Sequence, residues 1–262
     1  MRVVKPEVYI LGDIGLQDGT RDFLDALGAK NWSIGSGVES DNEYLIEVAG
    51  RTCYKSFGTE LNKNLTRVRK DHHEYLGNIL KTYHGSVLEH AVTSVGLVNV
   101  SRILTHELVR HRAGCAYSQE SMRFVRLDDV GMYVPTCIQE NKEAQAIFLD
   151  AVSQAEEAYS ELVDLMITDD MPFAKKKEIT SAIRRIAPAG HATTIVITAN
   201  HRAWRHLIEM RTASGVEEEI GIVFEQVACN FASKYPALYQ DMMLTNIPNQ
   251  PWRTAKFEHS KV

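Results

Sequence analysis

The chain has 262 residues, with 29 lysines and arginines against 34 aspartates and glutamates, a formal net charge of -5, 44% apolar residues and 24% charged residues. These proportions are those of a globular protein, and they exclude a disordered or low-complexity chain. The mildly acidic balance argues against a protein that coats nucleic acid through bulk charge, because neutralising phosphates requires a clustered excess of lysine and arginine.

Two further features predict a soluble cytoplasmic protein without a membrane partner. The apolar runs, such as residues 146–149, are far shorter than the roughly 20 residues needed to cross a bilayer, and the N-terminus lacks a signal-type apolar core. The four cysteines, Cys53, Cys115, Cys137 and Cys229, have no CxxC spacing. We therefore expect reduced thiols, and neither a disulfide framework nor a zinc knuckle.

Hydrophobic periodicity predicts helices and strands in the first part of the chain. Apolar residues recur at intervals of three and four between Leu65 and Tyr83, which is the spacing of one helical face. The predicted elements, in chain order, are a strand at 7–11, a glycine-rich loop, a helix through 43–49, a helix over 65–83, a strand at 92–100 and a helix at 103–111 that stops at Ala113-Gly114.

The second part of the chain shows the same mixture. Residues 193–198 are β-branched at every position, which favours a strand because such side chains fit a pleated surface better than a helix. The remaining predictions are amphipathic helices at 141–168, 176–186, 200–211 and 216–234, followed by a polar tail at 245–262 that we expect to be partly flexible.

Strands mixed with long helices predict an α+β fold with a mixed or antiparallel sheet. No internal repeat and no Pro/Gly-rich linker divides the sequence, and charge does not segregate between its halves. We therefore expect residues 1–262 to form a single domain.

The segment 106–123, which begins His-Glu-Leu-Val-Arg-His-Arg, first suggests a zinc protease motif. That motif needs its histidines four residues apart on one helical face, whereas His106 and His111 are five apart. The extra step turns the second imidazole by about 100°, so a zinc site is not expected there.

The same segment concentrates groups that bind anions. Guanidinium and hydroxyl groups hold phosphate through charge-assisted hydrogen bonds. The residues concerned are Arg110, Arg112, Arg123, Ser118, Gln119 and Ser121. The alternative is a solvated basic surface, but few carboxylates compete here, and we favour an anion site. On a helix Arg110 and Arg112 would point about 200° apart and could serve two ligands.

This segment resembles the signature of the flavin-dependent thymidylate synthases, in which Arg-His-Arg is followed by a spacer and then by Ser-x-Arg. Residues 49–54, 84–90, 184–188 and 200–211 resemble other motifs of that family, in the right order. The resemblance covers about residues 43–235 and implies the thymidylate synthase-complementing type of fold.

The sequence departs from the common family pattern at three places. Eight residues separate Arg112 from Ser121, where the pattern has seven, and the extra residue falls within 113–118. Glu107 stands where many members have glutamine, and Gly215 where many have histidine. These departures concern the geometry of the loop and the selectivity for the nucleotide, and they leave the set of arginines in the signature segment intact.

The resemblance implies three small-molecule partners besides the substrate dUMP, namely FAD, NADPH and methylenetetrahydrofolate, and a homotetramer whose active sites are shared between subunits. Matching residue by residue, it implies nucleotide binding by Arg110, Gln119, Glu120, Ser121, Arg123, Arg184 and Arg211. It implies flavin contacts for His84, Glu89, His111, Arg112, Asn200, Arg202 and His206. Taken singly, His84 and His206 could also be ordinary core or surface histidines.

The chemistry of uracil methylation fits this assignment. A permanently charged Arg211 can stabilise negative charge that develops on the pyrimidine, which gives it the catalytic role. The alternative for Arg211 is a partner for the dipole at the C-terminal end of its helix. Flavin would supply the reducing equivalents, since no protein side chain delivers hydride.

Several other interpretations are weaker. Residues 134–138 superficially resemble the Pro-Cys-His of the other thymidylate synthase family, but Thr136 separates Pro135 from Cys137. Cys115 lies near arginines that could lower its pKa, although a loop-filling role is favoured. No GxGxxG follows a strand, so a Rossmann site is not expected. A methylase for UMP or another pyrimidine nucleotide, or a non-catalytic nucleotide-binding protein, remains the alternative function.

Overall fold

The computed structural model of the chain describes residues 2–34, 38, 40–123, 129 and 131–260. Its strands are β1 (Arg2–Val3), β2 (Glu7–Asp13), β3 (Val92–Ser101), β4 (Cys115–Gln119), β5 (Gly131–Met132), β6 (Ala192–Asn200), β7 (Met242–Asn246) and β8 (Arg253–Phe257). Its α-helices are α1 (Gly19–Ala26), α2 (Asp41–Tyr54), α3 (His72–Lys81), α4 (Arg102–Leu108), α5 (Thr136–Gln139), α6 (Lys142–Met166), α7 (Phe173–Ile183), α8 (His201–Arg211) and α9 (Glu218–Lys234).

A four-stranded antiparallel sheet in the order β2-β3-β6-β4 is the centre of the fold. A two-residue parallel pair, β1 with β5, and an antiparallel hairpin, β7 with β8, complete the strands that the described residues form. The predicted α+β fold with a mixed or antiparallel sheet and long helices is therefore confirmed.

The main core lies between this sheet and the C-terminal helices. β3 and β6 place Val95 opposite Ile197 and Leu97 opposite Ile195, and all four side chains are fully buried. Trp204 of α8 is fully buried in the same cluster and donates its indole N–H to the Thr93 carbonyl at 3.1 Å. Each such side chain stabilises the fold by roughly 1.5–3 kcal/mol. Among the helices that the structure describes, none contains a stretch long and apolar enough to cross a membrane.

Two predicted helices are shorter than expected because capping groups fix their ends. The helix predicted over 65–83 is α3, which begins at His72 rather than near Leu65. Its start is fixed by the Asp71 carboxylate, which accepts a hydrogen bond from the Glu74 amide at 2.7 Å. The helix predicted at 103–111 begins at Arg102 and ends at Leu108. Arg110 and Arg112 thus lie beyond α4, and the 200° argument that assumed a helix does not apply to them.

Besides the short elements β1, β5 and α5, one helix and three strands were not predicted. The short helix α1 lies in the segment expected to be a loop. Strand β4 occupies the spacer of the signature segment, where it pairs with β6 and alternates half-buried Tyr117 with exposed Ala116 and Ser118. The tail expected to be flexible instead contributes the β7–β8 hairpin.

Buried contacts explain why the tail is ordered over the residues described. Trp252 donates its indole N–H to the Thr212 carbonyl at 3.0 Å, and the Ala255 amide donates to the Thr212 hydroxyl at 2.8 Å. Phe257 and Ala255 join the main core. The expectation of flexibility rested on the polar composition of the tail and was wrong for the hairpin, because Trp252, Ala255 and Phe257 are buried.

A buried cluster of charged side chains joins α2 to α3. Glu43, Glu47, Arg51 and His72 are each at most 1% exposed. Arg51 forms an ion pair with Glu47 at 2.6 Å, and Glu47 also contacts Nδ1 of His72. Burial alone lowers the pKa of His72, but the nearby carboxylates Glu43 and Glu47, the second of which is hydrogen-bonded to the ring, outweigh it and raise the pKa to about 9. The imidazole is therefore charged at neutral pH.

This cluster predicts how the stability of the fold depends on pH. Because the pKa of His72 is about 6.5 in an unfolded chain and about 9 in the folded one, its stabilising effect is complete below the first value and is lost as the pH rises through the second. We expect the free energy of unfolding in urea to fall by up to about 3 kcal/mol between pH 6.5 and 9.5. His72→Gln should remove most of this fall, and equal slopes for the two proteins would contradict the assignment.

Candidate functional site

A groove beside α4 contains two of the residues predicted to bind a nucleotide. It is a cavity of about 560 Å³ and is called here the α4 groove. Its polar lining comes from Arg102, His106 and Glu107 of α4, Gln119 of β4, Arg184 and His191. Of the predicted nucleotide-binding residues, Gln119 and Arg184 line this groove directly.

Two arginines make the α4 groove positive. Burial, and then the neighbouring charge of Arg184, lower the pKa of Arg102, while Glu120 acts in the opposite direction. Two guanidinium groups close enough for the charge of one to affect the other, in a partly buried groove, provide a positive electrostatic potential that binds an anion. Sequence reasoning missed Arg102, because it lies outside the Arg-His-Arg signature. Its position directly after a predicted strand was the signal available.

Two further side chains shape the floor of the groove. Gln119 donates its side-chain N–H to the Thr105 hydroxyl at 3.1 Å, which ties β4 to α4. His191 is 3% exposed, and its Nδ1 lies 2.7 Å from the Pro188 carbonyl. Since a carbonyl only accepts, Nδ1 carries the proton, and burial lowers the pKa of this histidine. His191 therefore presents a neutral ring to the groove, and the sequence patterns did not identify it.

Arg211, the predicted catalytic residue, ends α8 and reaches across to α4. Its NH1 donates to the Glu107 carboxylate at 2.8 Å, its NH2 to the Glu107 carbonyl at 2.9 Å, and its Nε to Nε2 of His111 at 2.9 Å. These three bonds use three of the five N–H groups of the guanidinium. Arg211 is thus held by three bonds beside Glu107, which lines the α4 groove.

His111 is neutral in this arrangement. A guanidinium can only donate, so Nε2 of His111 must accept, which places the ring proton on Nδ1. Burial lowers the pKa of His111, and the charges of Arg211 and His206 lower it further. An imidazole with an occupied acceptor and a free N–H can still donate one hydrogen bond.

A second cavity lies at the start of α8 and is called here the α8 groove. It has a volume of about 400 Å³, and four residues predicted to contact flavin line it: Glu89, Asn200, Arg202 and His206. Arg202 pairs with Glu89 at 2.6 Å, and both side chains are almost half exposed. Asn200 caps α8 by accepting from the Ala203 amide at 2.8 Å. The positive end of an 11-residue helix beside an arginine suits a phosphate group.

Gly114 is required where the backbone enters the α8 groove. Its φ of +71° is unfavourable for residues with a side chain, and a Cβ here would lie 2.7 Å from Nδ2 of Asn200. The backbone therefore approaches the N-terminus of α8 closely. The narrow space that remains beside Gly114, where a side chain would otherwise lie, is called here the Gly114 cradle.

A row of side chains joins the two grooves. The rings of His206 and His111 lie edge to face with 5.7 Å between their centroids. His111 contacts Arg211, and Arg211 contacts Glu107, which lines the α4 groove. Since His206 lines the α8 groove, this row of contacts runs from one cavity to the other.

The other predicted site residues lie around these grooves without lining them. The Arg110 guanidinium donates to His106 at 3.0 Å, and Arg112 is exposed at the turn before β4. Arg123 donates to the Ser181 hydroxyl of α7 at 3.1 Å, and the Ser121 hydroxyl accepts from the Arg123 amide at 3.4 Å. Glu120 is exposed after β4, where its amide donates to the Thr194 carbonyl.

His84 lies apart from the other predicted flavin contacts. It lines a small cavity of about 170 Å³ and stacks on Tyr54 with 6.1 Å between ring centroids. Within the described part of a single chain, therefore, His84 does not line the α8 groove.

Buried carboxylates at the start of α9 fix the walls of the α4 groove. Glu219, 2% exposed, accepts from the Ser101 amide at 2.7 Å and also from the Ser101 hydroxyl. Ser101 in turn caps α4, since its hydroxyl accepts from the Leu104 amide at 3.0 Å. The adjacent Glu218 instead holds Tyr133 and Thr136. Glu219 thus positions the helix that carries Arg102, His106 and Glu107.

The cysteines lie outside this arrangement. Cys115 is half-buried at the start of β4, and burial raises the pKa of its thiol, although Tyr117 and Arg112 act in the opposite direction. A raised pKa disfavours the thiolate. Cys137 is exposed on α5. Over the part of the chain that the structure describes, no three His, Cys, Asp or Glu side chains are grouped in a way that could hold a metal ion.

Comparisons with known proteins agree on one family. Residues 38–237 match the family model described as thymidylate synthase complementing protein. The flavin-dependent thymidylate synthase of Mycobacterium tuberculosis H37Rv is 35% identical over 207 residues, covering 78% of this chain and 80% of that protein. The enzyme of the same name from Corynebacterium diphtheriae is 34% identical over 215 residues, covering 80% and 82%.

Solved structures show the same fold. The UMP/dUMP methylase PolB from Streptomyces cacaoi, in a crystal structure with 5-Br dUMP, matches with a TM-score of 0.65 and 16% identity, covering 92% of this chain and 96% of that one. The resemblance inferred from the signature segment is confirmed. The two relatives compared above are both flavin-dependent thymidylate synthases, and the chain belongs to the thymidylate synthase complementing protein family.

Proposed function

We propose that the protein methylates dUMP to dTMP as an FAD-dependent enzyme, with methylenetetrahydrofolate as carbon donor and NADPH as reductant. The observation that carries this proposal is the pair of grooves joined by Glu107, Arg211, His111 and His206. A methylation that needs a reductant requires the pyrimidine and the flavin to lie side by side. The shared layer of side chains allows this arrangement.

The α4 groove would hold the nucleotide. Arg102 and Arg184 would bind the phosphate as paired guanidinium groups, with Gln119 and Glu120 beside them. Arg211 would face the base and stabilise negative charge on the ring as electron density moves to the carbon under attack. Glu107 and His111 would keep its guanidinium in place. Arg110, Ser121 and Arg123 remain proposed nucleotide contacts from the surrounding surface.

The α8 groove would hold part of the flavin. Arg202, with Arg112 nearby, offers the positive charge that a pyrophosphate needs, the start of α8 adds its dipole, and the Gly114 cradle admits a ligand close to the backbone. Asn200, Glu89, His111 and His206 complete the contacts proposed in this chain. When bound, FAD supplies the reducing equivalents that protein side chains cannot deliver.

We further propose a cytoplasmic homotetramer whose subunits complete one another's sites. A cavity of about 400 Å³ is at the small end for ligand pockets, and a flavin dinucleotide is larger than a drug-sized ligand. His84 would then reach the flavin of a neighbouring subunit. Apolar surface left uncovered on β2, where Tyr9 and Leu11 are 48% and 57% exposed, is suited to subunit contact.

The function is tested first with the purified protein. Bound flavin should give an absorbance band near roughly 450 nm, and dTMP should form from dUMP only when methylenetetrahydrofolate and NADPH are both present. UMP is assayed in parallel to measure the preference between ribose and deoxyribose. A colourless protein that FAD cannot reconstitute, and that forms no methylated product, would contradict the proposal.

Arg211→Ala is expected to abolish methylation while leaving flavin bound, because it removes the charge that faces the base without touching the α8 groove. Losing such a donor costs about 3–4 kcal/mol, or a factor of about 10² to 10³ in kcat. The matched control is Glu107→Gln, which keeps an acceptor for the guanidinium and should lose far less. Near-normal turnover of Arg211→Ala would remove Arg211 from the mechanism.

Arg184→Ala is expected to weaken dUMP binding while leaving deoxyuridine binding nearly unchanged, since only the nucleotide carries the phosphate. A lost charge-assisted hydrogen bond costs about 1.5–3 kcal/mol, or about 10- to 100-fold in Kd. Arg185→Ala is the control, because Arg185 is the exposed neighbour in sequence and does not line the groove. Calorimetric titration of both ligands gives the answer, and equal losses for the two would refute phosphate binding.

Glu219→Gln is expected to raise the KM for dUMP about five- to tenfold, with kcat and flavin content nearly unchanged, because one bond that anchors α4 is lost. Glu218→Gln has the same chemistry one residue away but releases a segment outside the α4 groove, so it should leave this KM unchanged. If both variants lose only thermal stability, Glu219 acts on the fold alone and has no positioning role.

A further inference from the structure

A third cavity lies away from both grooves and shares no lining residue with either. It has a volume of about 690 Å³ and lies between residues 28–33, which follow α1, and residues 66–70, which precede α3; it is called here the 66–70 pocket. Its charged lining consists of Arg67, Arg69 and Lys70 against the single carboxylate of Glu60. The excess of positive charge among these residues indicates an anionic ligand.

The cations of this pocket are only partly neutralised by their neighbours. Arg67 and Arg69 share one carboxylate, that of Glu74, at 2.7 Å and 3.5 Å. Lys70 takes part in no ion pair among the residues that the structure describes. A surface pair of this kind contributes little to stability, so an anion that displaces Glu74 would lose little by doing so.

A buried arginine fixes the segment that carries these cations. Arg51, 1% exposed, donates to the Arg69 carbonyl at 2.6 Å and to the Ser56 carbonyl at 2.8 Å. Its charge is compensated by Glu47, also fully buried. The backbone at Arg69 is therefore held from inside the protein, although the segment has no regular secondary structure. A wall that is fixed before a ligand arrives reduces the entropy cost of binding.

Aromatic side chains form the opposite wall. Trp32 and Phe57 line the pocket, and their rings meet nearly at right angles with 5.2 Å between centroids. Trp32 also lies edge to face with Tyr44 at 5.9 Å. These contacts hold the indole in one orientation, and with Leu61 and Val68 they provide apolar area beside the cations.

We propose that the 66–70 pocket is a binding site for a phosphorylated nucleotide distinct from the two grooves, with the phosphate on Arg67, Arg69 and Lys70 and the base against Trp32. A planar aromatic ring and a doubly charged anion within one molecule match the two walls. The site goes beyond the proposed function because no residue of either groove takes part, and it meets the proposed flavin contacts only where Arg67 and Arg69 also line the small cavity of His84.

The test is calorimetric titration of the FAD-loaded protein with 2′,5′-ADP, 5′-AMP and inorganic phosphate, with and without saturating dUMP. Both nucleotides should bind at least tenfold more tightly than phosphate, in a manner weakened by salt and unchanged by dUMP. A tighter complex with 2′,5′-ADP than with 5′-AMP would identify a ligand with two phosphates. Failure of dUMP itself to bind would concern only the α4 groove and the proposed function.

Variants assign the binding to this pocket. Lys70→Ala and Arg67→Ala should each weaken nucleotide binding at least tenfold, whereas Lys63→Ala, an exposed cation on the same segment outside the pocket, should not. Trp32→Leu should weaken the nucleotides and leave phosphate unchanged. Absence of nucleotide binding, competition by dUMP, or equal binding by Lys70→Ala and the unaltered protein would overturn the proposal.

Discussion

The site depends on a single cation placed where two helices end. β3 and β6 are antiparallel, with Ser101 opposite Ala192 and Val92 opposite Asn200, so α4 and α8 start from opposite ends of the paired strands. Their C-terminal ends meet, and each carries carbonyl groups without helical partners and a partial negative charge. Arg211 ends α8 and donates to the carbonyl of Glu107 in the last turn of α4. Its charge therefore neutralises both ends at once.

This meeting point explains why structure and chemistry cannot be separated at Arg211. Its side chain is 17% exposed, and a guanidinium does not lose its proton, so its partners must be permanent. A glutamine at position 107 could accept from the same N–H groups, but only a carboxylate also offsets the charge. Glu107 thus lowers the positive potential that Arg211 offers to a ligand. An anion that is already charged when it binds would have to compete with that carboxylate for Arg211. The arrangement therefore favours a ligand whose negative charge develops only in the transition state.

Sequence patterns identified most of the elements and the character of the site, but not the contacts that assemble it. The β-branched run of β6 and the apolar stripe of α9 have unambiguous periods, because one side of each element faces the core. β4 lies at the edge of the sheet and is only half-buried on one side. Its alternation of apolar and polar residues is therefore too short to be recognised among the small residues of the spacer. His191 enters the α4 groove only through tertiary packing, which no local pattern encodes, and the position of Arg102 after a predicted strand was the one local signal for that residue.

The extra residue in the signature spacer illustrates how the fold protects the site from a change in length. β4 pairs with β6 without a shift in register, from Cys115 opposite Ala199 to Gln119 opposite Ile195. A residue can be added beside this ladder without shifting it in the turn before Cys115, where Gly114 has a positive φ. Because the ladder fixes Gln119 against the sheet, the residues that follow it start from the same point whatever the length of the turn. A residue added in that turn would alter the entrance of the α8 groove, which Ala113 and Gly114 line, and would leave Gln119 of the α4 groove in register.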